Sequence, residues 1–554
     1  MAESKRNGVL VQAGILAAAS MIVRIIGLLY RAPLTAIIGD EGNGYYGTAY
    51  NIYSIILMVS SYSVPSAVSK LMAQKLAVGE RRNAQRIFRC ALIYGLIVGL
   101  AASLLLFFGA GLLVPAVAEN VLRVFGPTVF LFGILAALRG YFQAHGSMVQ
   151  TSISQILEQL ANAIVSIGAA WALMRLAAGE DATRQAQMGA AGSALGTGSG
   201  VLIALIFMYF CYHRYTRRNA DLIAVDTSGR LDGYGRIMKE TILVITPFML
   251  SGFILNLTTS LNQTIFYRIM IHARGMDEIA ATTAYGIFSN KAVVISNIPI
   301  SIATAVSSAI IPGISAAFAK GDLEETRTRV ASASRITALI AIPAFMGLAV
   351  LAKPITMLMF PQMESLGLAA SLLALLAITV VFYSISTITN AALQSIGRMN
   401  MPLVSAGIAL IIQTIVLAGL LFIFPVEQAV YTLVFVSVLY ALMIFVVNEL
   451  FLRKYLGLQR DYVALFVKPL LCAVVMGAAA FAVNAALRAI FLHVLHMDRA
   501  YFVNLFAVLP ALVVAIAVYF ILLIRTGTMT RENLTSLPGG EKLAKILIRL
   551  HWMK

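Results

Sequence analysis

Charge is scarce in this 554-residue sequence: 12% of its residues are Asp, Glu, Lys or Arg, against 60% hydrophobic ones. A chain so poor in charge cannot clothe itself in a hydrated surface, which excludes a soluble globular domain. Three cysteines, Cys90, Cys211 and Cys472, are too few and too scattered for a disulfide framework or a zinc site, and they read as packing residues. The six histidines give no metal-spaced pair except His493 and His496, which fall in an expected loop. No glycine-rich phosphate loop ending in Lys-Ser/Thr is found, so ATP hydrolysis by this chain is not expected. Neither a Ser-His-Asp order nor an Asp-x-Asp metal pair occurs in the loops. The expectation is therefore no enzyme, no metal and no cofactor, with only a coupling ion left open. Strand-length segments of alternating polarity are missing too, which removes a β-barrel.

What is present is length and oil. Mean hydropathy is +0.88. Apolar runs recur down the whole chain, and at about 1.5 Å per helical residue each can cross a hydrocarbon core of roughly 30 Å. The pattern predicts an all-α integral membrane protein of about fourteen transmembrane helices. These are centred near residues 22, 57, 98, 132, 163, 203, 255, 298, 342, 380, 413, 438, 478 and 513. The first run is too long for a signal-peptide core and is expected to be retained. The formal net charge of +17 raises the question of nucleic acid, but the cations are concentrated in alternate loops. Examples are Lys75, Arg81, Arg86 and Arg89, then Arg214, Arg217 and Arg236, then Arg327 and Arg453. That bias predicts an N-in, C-in topology and attraction to anionic lipid, with no nucleic acid.

Self-comparison suggests a duplication. The stretch "VPSAVSKLMAQKLAVGE" (64–80) aligns without a gap to "VSSAIIPGISAAFAKGD" (306–322), matching Val64 with Val306 and Gly79 with Gly321 among others. "QAHGSM" (143–148) likewise matches "QSIGRM" (394–399). Both pairs fall at the same points of a six-helix unit, so two tandem six-helix lobes with two C-terminal helices are expected. The expected divisions are an N-lobe at 1–215, a cytoplasmic linker at 216–236, a C-lobe at 237–457, helices 13 and 14 at 458–527, and an amphipathic tail at 528–554.

Ionisable groups inside such spans are costly, about 2.5 to 3.5 kcal/mol on insertion scales, so each is a candidate for function. Arg24 and Arg31 stand two turns apart on one helical face with Gly27 between them. Two guanidinium forks in a column suit phosphate oxygens. The alternative is that they snorkel to the interface. Lys291 lies in the apolar run "YGIFSNKAVVISNIP", flanked by Asn290 and Asn297. Span five carries a polar stripe of Ser152, Gln155, Gln159 and Asn162 beside Glu158, and span seven carries Asn256, Thr259, Ser260 and Gln263. Interhelical hydrogen bonding is the alternative reading for both stripes. Pro65, Pro247, Pro299 and Pro312 sit in or at the ends of spans, where they bend helices.

Three stretches carry a family resemblance: "RIIGLLYRAPLTAIIGDEGNGYYGTAYNIY" (24–53), "RGYFQAHGSMVQTSISQILEQ" (139–159) and "LTSLPGGEKLAKILIRL" (534–550). They resemble the polysaccharide-biosynthesis branch of the MOP (MATE-like) exporter superfamily, and in particular the stage V sporulation protein B group, relatives of the lipid II flippase MurJ. The resemblance implies two six-helix lobes plus two helices, alternating access, and a polyprenyl-pyrophosphate-linked sugar as cargo. It implies a monomer in the bacterial cytoplasmic membrane, with membrane lipids and cell-wall synthesis machinery as partners. First-span arginines line the central cavity of the flippases, and Arg24 and Arg31 match them. Lys291 falls near a further cavity arginine. Ala32 stands where an acidic residue is common, and span two has no arginine. The expected binding residues are thus Arg24, Arg31 and Lys291 for pyrophosphate, with Gln155, Gln159, Glu158, Asn256 and Gln263 around the rest of the headgroup. Lipid II flipping is the expected function. Its rivals are a cation-coupled multidrug antiporter of the same fold and a non-transporting scaffold for wall assembly.

Overall fold

The computed structural model of the chain describes residues 19, 21–62, 64–218, 231–494 and 499–527, with the backbone alone at 62, 247, 248, 250–252, 254–256, 305–312, 316 and 319. Regular structure among these residues is entirely helical, as long apolar runs without period-two alternation require. Eleven described helices are long and apolar enough to cross a membrane, or twelve if Met363–Leu376 and Thr379–Ser395, bent by 44°, form one span. Two of the fourteen expected spans, near residues 22 and 255, run through residues described only in part. Large apolar side chains such as Ile97, Phe108, Ile164, Ile415, Leu471 and Val513 stand in the open along these helices. In water each would forfeit about 25 cal/mol per Å² of apolar surface, whereas hydrocarbon accepts them without cost. Of the expected cytoplasmic linker, 219–230 lie outside the described residues, as do His496 and the whole tail 528–554.

The chain divides into two units, Met1–Gly286 and Ile287–Lys554. In the first, the helical stretch 21–29 continues through Tyr30 by the Leu34 N–H to Tyr30 carbonyl bond of 3.1 Å into α1 (Arg31–Leu57). That helix breaks at Gly39, where φ is 69°. Then follow α2 (Val64–Ala77), α3 (Arg81–Phe108), α4 (Ala116–Ala144), α5 (Val149–Leu176), α6 (Ala182–Arg218), α7 (Tyr234–Tyr267) and α8 (Glu278–Gly286). The hairpin of α5 and α6 is the tightest contact of the unit, and its cause is legible in α6. Gly192, Gly196 and Gly200 recur every four residues, and a Cβ on each would stand 2.6, 2.1 and 2.4 Å from Ala169, Ser166 and the Glu158 carbonyl oxygen of α5. Small residues at this spacing let two helix backbones close up where lipid offers no hydrophobic drive. That contact fixes the rotation of α5, and with it the direction of its polar face.

The second unit opens with a π-helical turn, Ile287–Ala292. It continues through α9 (Val293–Ala319), α10 (Leu323–Val350), α11 (Ala352–Met359), α12 (Met363–Leu376), α13 (Thr379–Ser395), α14 (Met401–Ile423), α15 (Val430–Leu456), α16 (Lys468–Ala489) and α17 (Ala500–Arg525). Its core joins Leu339 and Ile342 of α10, Ile385 of α13, Met476 of α16 and Tyr519 of α17. Polar cross-links tie helices within it: Asn448 of α15 donates to Thr389 Oγ1 at 3.1 Å and to Asn390 Oδ1 at 2.7 Å on α13. Asn504 of α17 donates to the Pro354 carbonyl at 2.9 Å.

The two matched sequence motifs fold alike. Gly79 and Gly321 end their helices in the left-handed region at φ 79° and 77°, and Gly146 and Gly397 do so at 74° and 79°. In each half, an arginine early in the next helix then secures backbone from the far end of that half. Arg86 of α3 donates to the Asp232 carbonyl, and Arg327 of α10 donates to the Leu456 carbonyl at 2.6 Å.

Candidate functional site

The polar face of α5 organises the site in the first unit. Arg139, near the end of α4, is 5% exposed. Its Nε donates to Ser154 Oγ at 3.0 Å, and its Nη2 donates to Glu158 Oε2 at 2.7 Å. Ser154 Oγ passes the chain on to the Thr151 carbonyl at 2.7 Å. A buried guanidinium needs such partners, because an uncompensated charge in low dielectric costs several kcal/mol. Glu158, the one carboxylate of α5, is thereby held in an ion pair.

One residue further on, Gln159 touches the arginine-bearing helix. Its Nε2 lies 3.1 Å from the point where a Cβ on Gly27 would stand. Gly27 is three residues after Arg24 and four before Arg31, so both arginines flank this contact on the same face. Arg24 is exposed and Arg31 half-buried. Neither makes a hydrogen bond or ion pair to another described residue. Tyr46, Tyr50 and Tyr53 gather with Phe125 of α4, ring centroids 4.5 to 6.0 Å apart. Gln155 holds its Oε1 buried with no donor among the described residues.

The rest of the polar stripe turns elsewhere. Asn162 accepts from Ser166 at 2.9 Å, and Ser166 reaches the Ser193 carbonyl of α6 at 2.9 Å, so this end of α5 stitches the hairpin. Gln263 of α7 is 1% exposed and fully engaged with α1. It donates to the Thr48 carbonyl at 3.0 Å and accepts from Asn51 at 2.7 Å. Its place is a helix clamp. The Asn256 side chain lies outside the described residues.

Lys291 belongs to the second unit and sits on the π-helical turn, a distortion frequent at functional positions. It is 1% exposed. Its Nζ donates to Ser365 Oγ at 2.8 Å and Gln362 Oε1 at 3.1 Å, with the Phe360 ring 5.8 Å away. The same unit holds an apolar cleft of about 450 Å³ lined by residues of α9, α10, α16 and α17, among them Pro299, Leu339, Pro343, Met476, Ile516 and Phe520.

Two participants escaped the sequence reading. Arg139 lies inside the "RGYFQ" stretch quoted for its resemblance, and a charged residue 15 and 19 positions before Ser154 and Glu158 was the available signal. The tyrosines lie in "GYYGTAYNIY", where their three- and four-residue spacing marks one helical face. Among the described residues, no group of three or more His, Cys, Asp or Glu side chains has the arrangement to hold a metal ion.

Comparison with known proteins gives these features a context. The family model described as polysaccharide biosynthesis protein matches residues 9–318, and a second, MatE, matches residues 253–418. The lipid II flippase MurJ of Bacillus subtilis is 24% identical over 443 residues, covering 75% of this chain and 78% of that protein. Stage V sporulation protein B of Bacillus subtilis is 26% identical over 421 residues, covering 74% and 76%. Among solved structures, the inward closed conformation of lipid II flippase MurJ superposes with a TM-score of 0.65 at 13% identity, covering 92% of this chain and 97% of that one, a likeness of fold.

Proposed function

The chain belongs to the polysaccharide biosynthesis protein family, within the MOP superfamily and its MurJ-like group, and from that premise we propose that it flips a lipid-linked oligosaccharide pyrophosphate, lipid II in particular, across the cytoplasmic membrane. It is a multi-pass protein of that membrane. The observation that carries the proposal is an asymmetry of charge in the first unit. Arg24 and Arg31 have no carboxylate partner among the described residues, while the neighbouring carboxylate, Glu158, is held by Arg139. Two guanidinium groups about 10 Å apart along one helix face offer forked donors to the two phosphates of a pyrophosphate. Gln159, in contact with the same helix, is the residue we propose for the sugar, a reading its closeness to Gly27 supports. The apolar cleft of the second unit is of a chemistry that takes a polyprenyl tail.

Alternating access is the transport mode we propose with it, the headgroup being exposed to one side of the membrane and then the other. A headgroup carrying about two negative charges that moves outward down an inside-negative potential releases roughly 2.3 kcal/mol per charge per 100 mV, so no nucleotide or chemical step is required. The MatE match keeps a cation-coupled antiporter in view. That activity needs a carboxylate open to a cationic substrate, and the Arg139 pair opposes it for Glu158.

The test is complementation of a flippase-depleted bacterium, scored by the accessibility of lipid II at the outer face. Wild type is expected to restore accessibility and Arg24→Ala to fail. Rescue by both removes the site assignment, rescue by neither points to another cargo, and normal wall growth without lipid II exposure would favour a scaffold.

A further inference from the structure

A site for an anionic headgroup that also contains a carboxylate has a problem of its own: the carboxylate repels the ligand and competes for the arginines. Glu158 is the residue before Gln159, whose amide touches the helix between Arg24 and Arg31, so its carboxylate springs from the same turn of α5 as that contact while its side chain turns to Arg139. We propose that Arg139 is the positioning residue that resolves it, setting the sign of the site by pairing with Glu158 so that Arg24 and Arg31 stay available to the anion. The inference rests on the flippase reading above and goes further by assigning the residue that separates anion from cation recognition.

Geometry favours this role over simple bracing. Arg139 is anchored twice, to Ser154 Oγ at 3.0 Å and to Glu158 Oε2 at 2.7 Å, which fixes the plane of its guanidinium against α5. Its own side chain is 7% exposed while that of Glu158 is 25% exposed, so the carboxylate is the member of the pair that meets the open side. The cation is thus withheld from ligand, and its effect reaches the ligand only through the carboxylate it neutralises. Phe132 of the same helix, its ring 5.9 Å from the guanidinium carbon, adds a third constraint.

The experiment is a double-mutant cycle on the purified full chain in detergent, read with two probes: farnesyl pyrophosphate for the anion and tetraphenylphosphonium for a lipophilic cation. Arg139→Gln is expected to weaken farnesyl pyrophosphate binding at least about tenfold and to strengthen tetraphenylphosphonium binding. Arg139→Gln with Glu158→Gln, which removes both charges, is expected to return pyrophosphate affinity to within about threefold of wild type. A thermal melt accompanies each variant, and if Arg139→Gln alone does not fold, recovery of folding and pyrophosphate binding in the double variant supports the proposal equally. A double variant as weak as Arg139→Gln, or an Arg139→Gln protein that binds both probes like wild type, overturns it. Absence of farnesyl pyrophosphate binding by wild type itself would instead sink the flippase reading.

Discussion

Gln159 Nε2 and Gly27 meet so closely that a Cβ on the glycine would stand 3.1 Å from the amide nitrogen. The obstacle is the far end of a flexible side chain, so a methyl group can be admitted by a small movement of Gln159. Gly27→Ala is therefore expected to leave the melting temperature close to wild type. Gly27→Leu must expel Gln159 from the contact, and it is expected to lower pyrophosphate binding in the farnesyl pyrophosphate assay without unfolding the chain. A Gly27→Leu protein that binds normally would show that the contact does not belong to the site.

The clamp between α1 and α7 makes a different prediction. Gln263 bonds the Thr48 carbonyl and Asn51, and each interhelical hydrogen bond in a membrane is worth about 0.6 kcal/mol, with a maximum near 1.7. Gln263→Leu is expected to destabilise by about 1 to 2 kcal/mol. Thermal melting should register the loss while pyrophosphate affinity stays unchanged. A selective loss of affinity would return Gln263 to the ligand.

Helix ends give a paired test of the duplication. Gly79 and Gly321 are both left-handed, and a Cβ on Gly321 would meet open space, so at Gly321 the cost of alanine is backbone strain alone. Each Gly→Ala substitution is expected to cost about 1 to 2 kcal/mol, with asparagine costing less at both positions. Unequal effects at the two sites would mean that the repeats no longer share this turn.

Lys291 is buried among Ser365, Gln362 and the Phe360 ring. Its removal takes away charge-assisted bonds and leaves Gln362 and Ser365 short of a donor. Lys291→Met is expected to destabilise by about 1 to 3 kcal/mol, measurable by thermal melting. An unaltered melting curve with lost flipping would assign the lysine to cargo instead.

How much of this was legible beforehand follows from the physics of each feature. Membrane residence shows in average composition, and helical class in apolar runs long enough to span and free of period-two alternation, a signal that recurs down the chain. The two matched turns were legible because a left-handed helix end favours glycine, at Gly79 and at Gly321. The polar stripe of α5 was visible as spacing, but spacing cannot say which side of a helix meets a neighbour. Asn162 turned to α6, Gln159 to the arginine helix, and the choice was made by the glycine ridge of α6. Arg139 escaped notice because its function depends on Glu158, 19 residues away on another helix. Gln263 read as a ligand because a buried amide and a binding amide are the same residue type in a sequence.

The central claim is that unpaired arginines of the first unit grip a pyrophosphate during transport. The most direct measurement is translocation of a fluorescent lipid-linked disaccharide pyrophosphate in proteoliposomes under an imposed potential, comparing wild type with the Arg24→Ala, Arg31→Ala double variant. Wild type should move the lipid at a rate that responds to the potential, and the double variant should be slower by at least about tenfold, roughly 1.4 kcal/mol of lost stabilisation. Equal rates in the two proteins would contradict the account.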